Sequence, residues 1–283
     1  WRPWEESLEP CEVLHLFGSV REWLPLARRA KALGVPVVVS TIAWFSLTGY
    51  WRSGSSLPGR LAAAGKFLLR AGWSGWPSWR RELYHTADLL LPNSQAEAEQ
   101  LVRYFGVSHE KIHVVPNGAD PGLAQADPRP FAELVGCRGF VLCTGRIEPR
   151  KNQLGLLRAL RGSGATVVIL GDPVPGYEDY FAACRRAADR HVRFVSRLEH
   201  DDPLLASAYA AAGCVALCSW FETPGLVALE AGMQGVPLVL TSGGCTREYF
   251  GPDAFYANPH RADEIRAAVR SALASGRNLG LAH

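Results

Sequence analysis

Several signatures that would point directly to a function are missing from this chain. It has no G-x-G-x-x-G and no G-x-x-x-x-G-K-[ST], so dinucleotide and P-loop readings lack support. No Asp-x-Asp occurs, which removes the usual means of holding a metal against a diphosphate. Its seven cysteines (Cys11, Cys137, Cys143, Cys184, Cys214, Cys218 and Cys245) include no C-x-x-C pair and are odd in number. Several sit in apolar runs, so they read as small buried residues of a reducing, cytoplasmic compartment. The longest apolar run, 35–51, is interrupted by Ser40, Thr41, Ser46, Thr48 and Gly49, and it does not read as a membrane span. No signal peptide precedes it. Lysine is scarce, with 26 arginines against 4 lysines, and a net charge of +3 is too small to argue for nucleic acid. Met233 is the sole methionine and the chain begins at Trp1, so it reads as a fragment, a processed chain or an expressed piece of something longer.

What is present is an ordinary globular composition, 48% hydrophobic and 20% charged, over 283 residues, a length comfortable for two domains. Residues 13–17 and 35–40 read as buried strands around a helix at 19–33, the order of a parallel sheet with crossover helices. The stretch 42–81 is the least regular, with Trp44, Trp51, Trp73, Trp76 and Trp79 among Arg52, Arg70, Arg80 and Arg81. Strands are expected at 89–91 and 112–115, with Ser94 capping a helix to Tyr104 between them. From 140 on, strands at 140–143, 167–170, 192–195, 214–217, 236–240 and 254–256 alternate with helices near 152–161, 178–189, 202–212, 225–234 and 262–274. The expected fold class is therefore α/β: a partial first domain over 1–120, a linker at 121–135 rich at its start in Pro, Ala, Gly and Asp, and a doubly wound second domain over 136–283.

Doubly wound sheets bind ligands at the carboxyl ends of their strands, and the chemistry-bearing motifs fall there. Gly145-Arg146-Ile147-Glu148-Pro149-Arg150-Lys151-Asn152 follows a strand; Gly145 permits a close turn, while Arg146 and Lys151 place two cations at the sheet mouth. A basic loop with Asn152 capping the next helix explains the same residues equally well. Phe221-Glu222-Thr223-Pro224-Gly225-Leu226 runs on to Glu230 and to Gly235-Val236-Pro237. Thr223 is the expected N-cap of a helix opening at Pro224, and a helix start suits a phosphate. Glu222 and Glu230 then bracket that start; taken alone they read as two solvated acids, and beside the neighbouring cations they favour hydroxyl recognition over the acid and nucleophile of a glycosidase. His200-Asp201-Asp202 looks like a metal cluster, but an Asp before a helical run is more simply a cap. His15 suits a site or a satisfied core position equally, and Gly171-Asp172-Pro173 reads as structural. The Trp/Arg stretch could stack on sugars or meet a membrane surface; packing in an irregular lobe accounts for it as well.

Taken in order, Leu91-Pro92-Asn93-Ser94, Val115-Pro116-Asn117-Gly118, Gly145-Arg146 with Lys151-Asn152, and Glu222-x-x-Gly225-Leu226 with Glu230-Ala231 and Gly235-Val236-Pro237 resemble the family 4 retaining glycosyltransferases of the GT-B fold. The resemblance implies two Rossmann-like domains, the first incomplete here, and a UDP- or GDP-linked sugar as donor substrate with no cofactor and no metal. It implies catalytic roles for Arg146, Lys151 and Glu222, the two cations neutralising the diphosphate. It gives the ribose to Glu230, the sugar and its phosphate to Glu222 with Thr223, Pro224, Gly225 and Leu226, and the base to Arg197 and Leu198, with Gly145 beside the phosphates. Members of the family normally carry earlier strand–helix units with a glycine-rich loop, a final helix returning to the first domain, and often a histidine where this chain reads Thr41-Ile42-Ala43-Trp44. The acceptor, a saccharide, lipid or small molecule, is left without an assigned residue. A non-catalytic sugar-nucleotide-binding fragment and a GT-B epimerase or phosphorylase are the alternatives.

Overall fold

The computed structural model describes residues 8, 11–53, 57–278 and 280. Trp1, from which the fragment reading starts, and Leu279, Leu281, Ala282 and His283 lie outside the described residues, as do the side chains of Arg52 and Arg70. The chain divides into two compact units between Asn117 and Gly118.

The first unit is built on β1 (Leu14–Phe17), α1 (Trp23–Ala32), β2 (Val37–Ser40), α2 (Leu47–Ser53), α3 (Leu57–Gly72), α4 (Trp79–Thr86), β3 (Leu89–Leu90) and α5 (Gln95–Phe105). Its sheet is parallel in the order β1-β2-β3, with Leu14 opposite Val37 and Val38 opposite Leu89. Alternation puts Leu14, Leu16, Val37 and Val39 into one core with Leu83, Tyr84, Leu101 and Phe105. His15 is on the opposite, exposed face, stacked on Phe17 at 4.2 Å with its Nε2 2.9 Å from Ser40 Oγ, and it is not a core histidine.

Two expectations fail in this unit. Much of the irregular 42–81 stretch is helical, folding into α2, α3 and the start of α4. Ile112 makes a single bridge to Leu90 and 112–115 forms no strand, because the neighbouring β3 is only two residues long. Ser94 does cap α5, accepting from Glu97 N at 3.1 Å. Part of the Trp/Arg stretch is indeed packing: the Arg80 guanidinium lies 4.2 Å from the centre of the Trp79 ring, and Arg81 donates to Ser74 O.

The second unit carries α6 (Arg129–Val135), β4 (Val141–Thr144), α7 (Gln153–Leu160), β5 (Val167–Leu170), α8 (Glu178–Ala187), β6 (Val192–Val195), α9 (Pro203–Ala211), β7 (Cys214–Leu217), α10 (Leu226–Gly232), β8 (Leu238–Thr241), α11 (Thr246–Phe250), β9 (Phe255–Ala257) and α12 (Ala262–Ser275). The six strands are all parallel in the order β6-β5-β4-β7-β8-β9. The order reverses between β4 and β7, a topological switch point of the kind where doubly wound sheets bind ligands. Residues on the two faces of these strands feed two cores, one with Leu142, Val168, Val215 and Leu238, the other with Val141, Val167, Cys214 and Val239. The stretch 121–135, expected as a linker, is folded instead. A 3-10 turn at Pro121–Ala124 leads to α6, whose Phe131 is fully buried in this unit's core. All seven cysteines are unpaired and five are buried; burial pushes the Cys143 thiol up to about 12.

Candidate active site

The switch point gathers three loops. Leaving β4, Gly145 takes φ +131, and the loop passes through a 3-10 turn at Pro149–Lys151 to Asn152, at φ 54. After β5, Gly171 sits against Gly145 at φ +147, and a Cβ there would run into the Gly145 carbonyl. Asn152 stands at the cap of α7 but its side chain does not cap it. Its amide donates instead to Cys218 O (3.0 Å) and Pro259 O (3.2 Å), pinning the basic loop to the end of β7. Trp220 tightens the same seam, donating from Nε1 to Pro149 O at 2.8 Å and from its backbone to Arg150 O at 3.0 Å.

These ties bring Lys151 and Glu222 together. Lys151 Nζ lies 2.6 Å from Glu222 Oε1, which also accepts from Ser219 Oγ at 2.5 Å, while Arg150 Nη1 stands 3.8 Å from Oε2. Glu222 is only 4% exposed. Lys151 is thus ion-paired, and Glu222 is a held carboxylate rather than one standing free for hydroxyls. Glu148 is a second shared anion, 3.2 Å from Arg150 and 3.5 Å from Arg146, whose side chain is 68% exposed at the mouth. Gly244, at φ +99, lets the loop after β8 run against Glu222, where any Cβ would strike the Glu222 carbonyl.

Beside this cluster is a cavity of about 480 Å³ lined by Gly145, Arg146, Asp172, Arg197, Leu198, Tyr209 and Glu230, among others. Buried Glu230 accepts from the Tyr209 hydroxyl at 2.5 Å through Oε2, leaving Oε1 3.6 Å from His200 Nδ1. Burial and the adjacent carboxylate together push the Tyr209 phenol up. Asp172 accepts from the Arg197 N–H at 3.2 Å, and the Arg197 guanidinium itself pairs with Glu199. So the structure assembles Gly145, Arg146, Arg197, Leu198 and Glu230 around one cavity. Lys151 and Glu222 adjoin it, since a Cβ on Gly145 would lie 3.8 Å from Lys151 Cε.

The start of α10 differs from expectation. Its N-cap is Gly225, at φ +92, and not Thr223; Pro224 precedes the helix, and Leu226 is its half-exposed first residue. A Cβ on Gly225 would sit 3.5 Å from Glu222 Oε2, so this turn lies over the held carboxylate. The capping reading of His200-Asp201-Asp202 holds, since Asp202 accepts from Leu204 N at 2.9 Å. Among the described residues no group of three or more His, Cys, Asp or Glu side chains is placed to hold a metal. Tyr209 and Ser219 belong to the site without any motif announcing them, and Arg150 lies inside the basic motif but was given no role there. The one usable signal was chemical: a tyrosine on an otherwise apolar, buried helix needs a partner for its hydroxyl. Replacing Tyr209 by phenylalanine removes one hydrogen bond to a charged group and is expected to cost ~1.5–3 kcal/mol of stability, read from the urea midpoint.

The sequence pattern described as "Glycosyl transferases group 1" matches residues 130–279, just over half of the chain and all of the cluster and cavity above. The chain belongs to the glycosyl transferases group 1. Residues 4–123 match a second pattern, "Glycosyltransferase Family 4". Among relatives of this chain is a D-inositol 3-phosphate glycosyltransferase of Kribbella flavida, 36% identical over 58% of this chain and 43% of its own length. Another of the same name, from Rhodococcus opacus, is 30% identical over 75% of this chain and 52% of its own length. The chain therefore spans about half the length of these relatives. Solved structures of similar fold include sucrose-phosphate synthase of Thermosynechococcus elongatus (TM-score 0.74, 19% identity, 95% of this chain and 67% of that one). Anabaena HepE in complex with UDP and glucose is another (TM-score 0.70, 21% identity, 92% and 68%). The fold of this group 1 glycosyl transferase is α/β with Rossmann-like units of the GT-B type.

Proposed function

We propose that the chain carries the donor site of a metal-independent retaining glycosyltransferase acting on a UDP- or GDP-linked sugar in the cytoplasm. The observation that carries this reading is the adjacency, at the switch point, of the Tyr209–Glu230 cavity and the Lys151–Glu222 cluster. A base stacks beside Arg197 and Leu198, the ribose hydroxyls meet Oε1 of Glu230, and the diphosphate takes the charge of Arg146 and Lys151. Those two cations supply the positive charge that a metal provides elsewhere. The backbone of Thr223, Pro224, Gly225 and Leu226 holds the sugar, while Glu222, beneath that turn, fixes Lys151 in place.

As the bond from the anomeric carbon to the phosphate oxygen breaks, Arg146 and Lys151 stabilise the departing diphosphate. The acceptor hydroxyl attacks the same face and its proton passes to that leaving phosphate oxygen, so configuration is retained and charge balances. D-inositol 3-phosphate, from the relatives' name, is the first acceptor to try. The Trp/Arg-rich stretch is the part of the chain proposed to meet a membrane.

Calorimetry of the folded chain with UDP, GDP and ADP tests the donor site; no affinity for any of the three overturns it. Glu230→Ala is expected to weaken nucleotide binding ten- to a hundredfold, roughly the worth of a hydrogen bond to a charged group. Arg146→Ala, at an exposed position, should cost several-fold for diphosphates and little for the free nucleoside. Equal loss for both ligands counts against its phosphate role.

A further inference from the structure

One face of the first unit combines features that the proposed donor site does not use. In α3, Leu57, Leu61, Leu68 and Leu69 are 63%, 59%, 57% and 52% exposed, and just beyond the helix Trp73 is 57% and Trp76 36% exposed. At ~100° per residue, Leu57, Leu61 and Leu68 fall within about 40° of one another, with Leu69 about 80° further round. Phe67, about 80° from Leu57 on the other side and about 160° from Leu69, marks the side that packs, buried against Tyr104 at a ring distance of 5.6 Å. The leucines are therefore a surplus apolar stripe and not a misassigned core. Exposed Arg60 and Lys66 flank the stripe on its two sides.

Charge decides the occupant. From Leu57 to Trp76 the sequence carries Arg60, Lys66 and Arg70 and no Asp or Glu. An apolar stripe with tryptophans at one end, cations on both flanks and no acidic residue in its own segment suits a negatively charged surface with an apolar layer beneath it. At 16 residues α3 is too short to span, and among the described residues no helix is long and apolar enough to cross a membrane. It can lie in the interface plane.

We infer that the α3 face, with Leu57, Leu61, Leu68, Leu69, Trp73 and Trp76 as its apolar stripe, docks the protein on an anionic lipid bilayer. The inference gives the proposed membrane contact a defined surface, and it stands apart from the donor site, because calorimetry with UDP reads that site independently.

The test is co-sedimentation of the full chain with vesicles of phosphatidylcholine alone or with about a third phosphatidylglycerol. The expected result is at least tenfold stronger partition into the anionic vesicles, falling as salt rises. Leu61→Glu/Leu68→Glu should lower that partition at least tenfold while the circular dichroism spectrum and the UDP affinity stay unchanged. Should that variant not fold, Lys66→Glu decides: it should lower partition about fivefold or more into anionic vesicles and not into neutral ones. Equal binding to both vesicle types, or no binding, overturns the inference. So does a concentration-dependent dimer in sedimentation equilibrium that the same substitutions abolish, since the stripe would then be an interface between chains.

Discussion

Lys151→Met is expected to lower turnover of the sugar nucleotide by about a hundred- to a thousandfold, the usual effect of removing one group that stabilises transition-state charge. It is also expected to destabilise the fold, and the two effects have different causes. Glu222 is 4% exposed, and its Oε1 is held by Lys151 and Ser219. Taking away the cation leaves a buried carboxylate underpaired, which costs ~3–5 kcal/mol where no other charge is near. Here Arg150 remains 3.8 Å from Oε2, so the penalty should fall toward the lower end, about 2–3 kcal/mol. The measurement is the urea midpoint at constant m-value.

Lys151→Met/Glu222→Gln separates the roles. Removing both charges relieves the unpaired carboxylate and should recover at least half of the lost stability, yet turnover should stay as low as in the single variant. Recovery of turnover together with stability would show that Lys151 is only a structural partner of Glu222. Loss of stability with unchanged turnover would remove Lys151 from the diphosphate altogether.

The second unit was more legible in the sequence than the first, for a physical reason. Its strands are short apolar runs buried on both faces, such as Val167–Leu170 and Cys214–Leu217, and each is set off by helices of clear period. The first unit hides α2 and α3 behind Gly49, Pro58, Gly59, Gly65 and Gly72, which dilute the helical signal, and behind leucines on the exposed side of the helix. The apolar run Ile112-His113-Val114-Val115 reads as a strand because local pattern does not report how much partner strand is available. In the site, residue types and their loops were readable, but pairings were not. Lys151 and Glu222 are 71 positions apart, and Tyr209 and Glu230 are 21 apart on different helices. Those contacts follow from the strand order β5-β4-β7, which no local motif encodes. The misplaced cap of α10 has the same origin: Thr223 has the right chemistry for a cap, but the positive φ at Gly225 starts the helix two residues later.

Glu97→Ala is expected to destabilise the fold by about 3–4 kcal/mol, the largest stability loss foreseen for a single substitution in the first unit. Glu97 is fully buried at the N-terminus of α5, beside the Ser94 cap. Its carboxylate accepts from the Thr41 hydroxyl, from Ala43 N at 2.7 Å and from Asn93 N at 3.0 Å. The first two donors flank Ile42, whose φ of 42° is a left-handed conformation that a β-branched residue adopts only under constraint. Glu97 thus clamps the turn at the end of β2 from both sides. Alanine strips the partner from two backbone N–H groups and a hydroxyl; the hydroxyl can rotate, the N–H groups cannot, and each costs ~1–3 kcal/mol. Burial is the leading influence on this carboxyl and raises its pKa above the ordinary 4.5, though the three donors oppose it. Because the folded state binds the proton more tightly, the stabilisation is fully present below the unfolded value and is lost as pH rises through the folded one. Glu97→Gln cannot titrate, so its deficit relative to the parent should be largest near pH 4.5 and shrink toward pH 7, read from urea midpoints at both. A deficit that grows with pH would mean that the donors outweigh burial and hold Glu97 as a preferred anion.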